Sequence, residues 1–235
     1  MKRAMKRAML SRKLSRLSLA LGMLPIAAIN ASYLIAAWEG AVPWCVPYWE
    51  SCTSISATGR EGFAFFFFKA TMIPVALLTI WYWILAQAKL ADFGYRGSAI
   101  PALGIIAAIA LLCYTLALGA IGDSFQLTRR IGIIFYFTFT YLSQLLLVYQ
   151  FRRLDIPEQG NQWQLLMCLI ILVLGILTLV LDGLLDNYDD YEDGFEWVLA
   201  LLLHCNFLIA YWSWRKVDGS NGARVGMAPE QTTAI

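Results

Sequence analysis

The chain has 235 residues, of which 60% are hydrophobic and only 14% are charged. Soluble domains carry about 25% charged residues, so this composition excludes an ordinary water-soluble domain and favours a lipid bilayer as the solvent. The net charge of +2 conceals a separation of sign, because seven Lys or Arg residues precede position 17 and seven acids lie between Asp182 and Glu196. This asymmetry orients a membrane protein and gives no reason to expect nucleic acid as a partner.

The first 16 residues form a basic tail that repeats the tetrapeptide MKRA. Such a tail either binds anionic lipid at the cytoplasmic face or acts only as a topology anchor. A cleaved signal peptide is a third interpretation, because Ala28 and Ala31 stand near a possible cleavage site. The apolar run continues to Ala37, however, and exceeds a typical signal-peptide core of about 7–15 residues, which favours an uncleaved first span.

Six apolar segments are long enough to cross the hydrocarbon core, which needs about 20 helical residues. The sequence therefore predicts an all-α, six-span bundle, followed by a disordered cytoplasmic tail over 215–235. Gly104 and Ala108 in the third segment have the small-xxx-small spacing that lets helices approach closely. The predicted membrane domain covers 17–214, with spans at 17–38, 62–87, 99–122, 130–150, 163–181 and 195–214.

Six spans place both termini on one side of the membrane. The terminal segments and the loops at 88–98 and 151–162 hold 14 of the 18 Lys and Arg residues, so the positive-inside rule makes that side the cytoplasm. The loop after the first span and the acidic loop before the sixth are then extracytoplasmic. Because the sequence shows no retention signal, a bacterial inner membrane or plasma membrane is expected rather than an endomembrane.

The segment 39–61, called the 39–61 loop from here on, separates the first two spans. It carries Cys45, Cys52 and the hydroxyl-rich run 54–59. Structureless loops longer than about 12–15 residues are usually functional or disordered, and this composition favours a function. Disulfides persist on the predicted side of the membrane, so Cys45 and Cys52 are a candidate pair, although their spacing does not establish the geometry of a bridge.

The single histidine, His204, lies near the middle of the sixth span. As a general base it would need a nearby nucleophile, and the candidates are Ser54 and Ser56, which would have to fold into the bundle. The other interpretation is a hydrogen bond between helices. The sequence has no His and Cys cluster of the kind that binds zinc, so neither a metal nor a cofactor is predicted.

Polar side chains gather at the outer ends of the predicted spans. One of them, Lys69, lies inside a span and either extends to the interface or forms a buried ion pair beneath a lipid head group. Arginine and carboxylate groups together suit a phospholipid or glycolipid head group, and they equally suit a structural salt-bridge network. The cluster comprises Arg60, Lys69, Asp123, Gln126, Arg129, Arg130, Asp182 and Glu196.

Four short elements stand at the ends of predicted spans. They are Pro47-Tyr48 with the run Ser54, Ser56, Thr58 and Gly59; Gly122–Gln126 with Phe125; Phe135–Gln150; and Glu196-Trp197. In this order they resemble the six-span DRAM, FRAG and SFK-type membrane family, which is related to PGAP-type GPI-anchor lipid-remodelling factors and to CWH-type N-terminal domains. Two features depart from that family: residues 49–53 split the first element, and 128–130 replace a histidine that the family commonly has.

The resemblance implies a six-span fold over about 17–214 and a role in lipid homeostasis, and it assigns no catalytic residue. The first hypothesis is a non-enzymatic protein whose extracytoplasmic face binds or organises lipid head groups or a membrane-protein partner. The 39–61 loop would be its lid, in contact with Phe125-Gln126 and Glu196-Trp197. The second hypothesis is a lipid-remodelling enzyme that uses His204 with Ser54 or Ser56. A channel is a third class, which the apolar inner halves of the spans disfavour.

Overall fold

The computed structural model describes residues 2–154, 158–185 and 187–225. Within these ranges the regular structure is entirely helical, with seven α-helices and one short 3-10 helix over Ala57–Gly59. The α-helices are α1 (Lys2–Trp38), α2 (Pro47–Glu50), α3 (Gly62–Ala91), α4 (Ala99–Ala117), α5 (Asp123–Arg153), α6 (Glu158–Leu184) and α7 (Asp189–Val225).

Six of these helices are long and apolar enough to cross a membrane, which confirms the predicted six spans. The shortest is α4, whose 19 residues reach about 28 Å at 1.5 Å per residue, close to the thickness of the hydrocarbon core. The short α2 lies within the 39–61 loop and is not a span. The architecture is that of a multi-pass membrane protein.

The six long helices pack as a ring in chain order. Helix α1 contacts α3, α3 contacts α4, α4 contacts α5, α5 contacts α6, α6 contacts α7, and α7 returns to α1. The interior is filled by large side chains, among them Trp83, Trp197 and Trp214, which are fully buried. The 39–61 loop covers one end of this ring, which is called the loop end below.

The connection between α4 and α5 is shorter than predicted. Helix α4 ends at Ala117 because Gly119 adopts a positive φ of 76° and turns the chain, a conformation that glycine adopts at little cost. Helix α5 then begins at Asp123, seven positions before the predicted start, where the carboxylate complements the helix dipole. Residues 123–129 are therefore helical rather than part of an outer loop.

Both terminal helices extend beyond their predicted ends. Helix α1 continues back through the basic tail to Lys2, because its Ala, Met, Leu, Lys and Arg residues all favour helix. Helix α7 runs on to Val225, so 215–225 is helical where the sequence predicts disorder. The rest of that predicted tail, 226–235, lies outside the described residues.

The small residue Gly104 sits where α4 meets α3. The indole of Trp83 lies directly against its Cα, in the space that any larger side chain at position 104 would need. The close packing of helices predicted from Gly104 and Ala108 is therefore observed at Gly104, where the Trp83 ring of α3 packs against the glycine of α4. Both Trp83 and Ala108 are fully buried.

Candidate functional site

The 39–61 loop is closed by a disulfide between Cys45 and Cys52, which confirms the candidate pair. The Tyr33 hydroxyl of α1 fixes one end of the closed segment. It accepts a hydrogen bond from the Cys45 N–H at 2.8 Å and donates to the Cys45 carbonyl at 2.7 Å. The bridge and this tyrosine hold the first half of the loop against α1.

Trp197 anchors the second half of the loop to α7. Its indole N–H donates to the Thr53 carbonyl at 2.8 Å, and the side chain is fully buried. The ring makes edge-to-face contacts with Tyr33 and Tyr48, with centroid distances of 6.0 and 5.2 Å. Such aromatic pairs add about 0.5–1.5 kcal/mol to the free energy gained by burial alone.

Two further residues at the start of α7 bind the loop. The Glu196 carboxylate accepts the Ile55 N–H at 3.1 Å, and the Gly194 N–H donates to the Ser51 hydroxyl at 2.9 Å. Together with Trp197 they hold residues 51–55 along the first turns of α7. The structure thus places Glu196-Trp197 against the loop, as the sequence predicts.

The remaining motif residues in the loop serve its internal structure. The Tyr48 hydroxyl accepts a hydrogen bond from the Asn30 amide at 2.8 Å, and burial raises the pKa of this phenol above its ordinary value. Pro47 is buried and begins α2. The Thr58 hydroxyl donates to the Ile55 carbonyl at 2.8 Å, and Gly59 lies against the ring of Phe68.

A small cavity lies directly beneath Ile55, inside the helix ring. Its volume of about 30 Å³ is room for one or two water molecules. The Ile55 side chain, which is 5% exposed, forms its roof. Apolar residues from five helices supply most of the wall, namely Ile29, Phe68, Met72, Leu111, Ile133, Phe137 and Ala200.

Three polar side chains reach this otherwise apolar cavity. Tyr114 is 2% exposed, and its hydroxyl has no hydrogen-bond partner among the described residues. His204 Nδ1 lies 3.0 Å from the Leu21 carbonyl and Nε2 lies 3.3 Å from the Tyr136 hydroxyl. Because a carbonyl only accepts, Nδ1 carries a proton, and in a singly protonated ring Nε2 accepts from Tyr136.

The candidate nucleophiles do not meet the candidate base. The hydroxyls of Ser54 and Ser56 lie 3.0 Å apart, Ser54 accepts the Ala57 N–H, and Ser56 accepts from the Arg60 guanidinium at 2.8 Å. Neither serine lines the cavity or hydrogen-bonds His204 within the described ranges. His204 instead contacts α1 through Leu21 and α5 through Tyr136, as the alternative interpretation of a hydrogen bond between helices predicts.

The predicted polar cluster does not form a single site. Arg129 donates to the Ala117 and Ala120 carbonyls and so caps α4, at 3.2 and 2.9 Å. Lys69 donates to the Leu116 carbonyl at 3.2 Å and stands 4.1 Å above the Phe65 ring, and it pairs with no carboxylate among the described residues. Of the other residues singled out in the sequence, Asp123, Phe125, Gln126 and Arg130 lie exposed on the first turns of α5, and Asp182 lies exposed at the end of α6.

Phe125 and Gln126 fall on that exposed part because α5 begins earlier than predicted. Arg60 and Glu196 of the predicted cluster lie on or against the 39–61 loop. Across the described residues, no group of three or more His, Cys, Asp or Glu side chains is placed to hold a metal ion.

Comparison with known proteins gives no match: no family model, curated protein or solved structure is similar to this chain.

Proposed function

We propose that this protein binds an amphiphilic membrane lipid at its loop end, in a role in lipid homeostasis, with the 39–61 loop as a lid. The loop end faces the extracytoplasmic side in this proposal, since 14 of 18 Lys and Arg residues belong to the opposite side. A bacterial inner membrane or a plasma membrane would place the Cys45–Cys52 bridge on an oxidising side.

The observation that carries the proposal is the roofed cavity. A disulfide-closed loop inserts one apolar side chain, Ile55, into the end of the helix ring, above a wall that is apolar except for Tyr114, Tyr136 and His204. The unpartnered Tyr114 hydroxyl is costly to bury, by about 1–3 kcal/mol, unless a bound group satisfies it. Lifting Ile55 would join the cavity to the membrane face and make room for a lipid segment that carries a polar atom.

The upper surface of the same roof offers groups suited to a lipid head. Ser54 and Ser56 flank Ile55, and Arg60 hydrogen-bonds Ser56 while remaining exposed. Asp193 and Glu196 lie within electrostatic range of the Arg60 guanidinium. A guanidinium suits phosphate, and neighbouring carboxylates suit an amine or sugar hydroxyls, so the head group expected here carries both kinds of group.

A lipid-remodelling enzyme is supported less well. That hypothesis requires His204 to act as the general base for Ser54 or Ser56. Its Nε2 instead lies beside the Tyr136 hydroxyl, and its Nδ1 lies beside the Leu21 carbonyl. The resemblance to the DRAM, FRAG and SFK-type family agrees with lipid binding and requires no catalysis.

Filling the cavity should abolish lipid retention beneath the loop. Ala200 lines the cavity and is 4% exposed, so Ala200→Val places two methyl groups into its volume of about 30 Å³. We expect the wild-type chain, purified in mild detergent, to carry an enriched lipid detectable by mass spectrometry, and Ala200→Val to lose it.

The matched control is Ala210→Val, which adds the same methyl groups to the same helix at a residue that is 2% exposed and lies outside the cavity wall. It should retain the lipid. A wild-type protein without an enriched lipid, or an Ala200→Val variant that keeps it, contradicts the proposal.

A further inference from the structure

A second concave surface lies at the loop end, on the outside of the ring between α1 and α3. It is a lateral groove of about 560 Å³, within the size range of ligand sites. It shares no lining residue with the cavity under Ile55. The groove is lined by Leu34, Ile35, Trp38, Glu39, Trp44 and Phe63.

Three aromatic rings in the groove have free faces. Trp38 is 84% exposed, Trp44 is 63% exposed and Phe63 is 61% exposed. Within the described part of the chain, none of the three stacks on another aromatic ring or lies under a cation of the protein. Their π faces are therefore available to a ligand.

The same groove holds one carboxylate in a fixed position. Glu39 Oε1 accepts the Phe63 N–H at 2.8 Å at the start of α3, whereas Oε2 accepts the Ala64 N–H only weakly at 3.4 Å. The carboxylate also lies against Gly62, whose positive φ of 66° and missing side chain leave space for it. No Lys or Arg of the described ranges forms an ion pair with Glu39. Its carboxylate lines the groove and is held there by the first N–H groups of α3.

Aromatic faces around a carboxylate are suited to an organic cation. Trp binds ammonium groups through cation–π attraction more strongly than other side chains do, and quaternary ammonium groups in particular are bound in aromatic cages. Leu34 and Ile35 continue the groove as an apolar wall along α1. Tryptophan-rich span ends lie at the level of lipid head groups, so a membrane lipid is the molecule that reaches this groove.

We propose that the groove between α1 and α3 binds the alkylammonium head group of a membrane lipid, with Trp38, Trp44 and Phe63 around the cation and Glu39 beside it. The inference goes beyond the lipid site beneath the 39–61 loop and does not depend on it. A choline head group should bind better than an ethanolamine head group, because its methyl groups contact the ring faces.

The test is a competition between head groups in the full-length protein. The chain is reconstituted in nanodiscs of equal parts phosphatidylcholine and phosphatidylglycerol with identical acyl chains, and the retained lipids are counted by native mass spectrometry. Cation–π attraction at a partly exposed site predicts an enrichment of phosphatidylcholine of about threefold or more. Both Trp44→Ala and Glu39→Gln should reduce the ratio to about one.

Several controls make the outcome specific. Glu39→Gln keeps a side-chain oxygen for the Phe63 N–H, so α3 stays capped. Trp49→Ala removes an indole that is 90% exposed and lies outside the groove, and it should leave the enrichment unchanged. Ala200→Val should also leave the phosphatidylcholine enrichment unchanged, which separates a failure of the groove proposal from a failure of the lipid site beneath the loop.

Enrichment of phosphatidylethanolamine in a second mixture supports the ammonium assignment. The absence of phosphatidylcholine enrichment, or enrichment unaffected by Glu39→Gln and Trp44→Ala, overturns it.

Discussion

Replacing Trp197 with alanine is expected to lower the free energy of unfolding by about 3–5 kcal/mol and to release the 39–61 loop. The substitution removes a fully buried indole, its hydrogen bond to the Thr53 carbonyl and its contacts with Tyr33 and Tyr48. Thermal unfolding in detergent measures the first effect. The rate at which a thiol reductant opens the Cys45–Cys52 bridge measures the second, and it should rise.

Trp214→Ala is the matched control for this prediction. Trp214 is also a fully buried residue of α7, and its indole N–H donates to the Tyr82 hydroxyl at 3.1 Å rather than to the loop. It should destabilise the bundle to a similar extent without changing the rate of disulfide reduction. Equal reduction rates in Trp197→Ala and the wild type would show that Trp197 does not hold the loop.

Removing the disulfide by Cys45→Ser with Cys52→Ser is expected to lower the free energy of opening the loop end by about 2.5 kcal/mol, the chain-entropy value for a closed segment of this length. The loss should be confined to the loop end, because the bridge lies between the Tyr33 and Trp197 anchors and the helix ring does not need it. Hydrogen exchange should therefore speed up at Cys45–Ile55 positions and remain unchanged in the middle of α4.

Cys113→Ser controls for the loss of a thiol, because Cys113 is free and exposed on α4. It should leave both the thermal midpoint and the loop exchange unchanged. Uniformly faster exchange in all helices of the double serine variant would mean that the disulfide stabilises the whole bundle rather than the lid.

The spans could be predicted from the sequence because their length and apolar composition are set by the bilayer. Their ends could not, since these depend on local turns: Gly119 stops α4 early, and Asp123 begins α5 ahead of the predicted start. That shift moved Phe125 and Gln126 onto an exposed helical turn and away from the 39–61 loop. The contact of Glu196-Trp197 with the 39–61 loop could be predicted, because an acid and a tryptophan near a span end mark the membrane–water interface whatever the helix register.

The cavity was harder to predict. Tyr114 and Tyr136 look like ordinary aromatic residues within apolar spans, and they meet His204 only because of how α4, α5 and α7 are rotated in the ring. Hydropathy does not encode that rotation. Ser54 and Ser56 carry hydroxyl groups that suggest chemistry, whereas Ile55 between them carries no such signal in the sequence. It is nevertheless the Ile55 side chain that enters the bundle.

The most direct test of the lid is to lock it. A side chain at position 194 would place its Cβ 3.4 Å from the Cβ of Ser51, close to the separation in disulfides, so Ser51→Cys with Gly194→Cys should bridge the loop to α7. Peptide mapping verifies the new bridge and the integrity of Cys45–Cys52. Uptake of deuterated phospholipid in nanodiscs is then followed by native mass spectrometry in a Trp44→Ala background, which silences the groove between α1 and α3.

The bridged protein should take up lipid beneath the loop at least about tenfold more slowly than either single-cysteine variant, because Ile55 can no longer leave the cavity. That factor corresponds to about 1.4 kcal/mol in the barrier to uptake. Equal uptake by the bridged protein and the two single variants would contradict the lid.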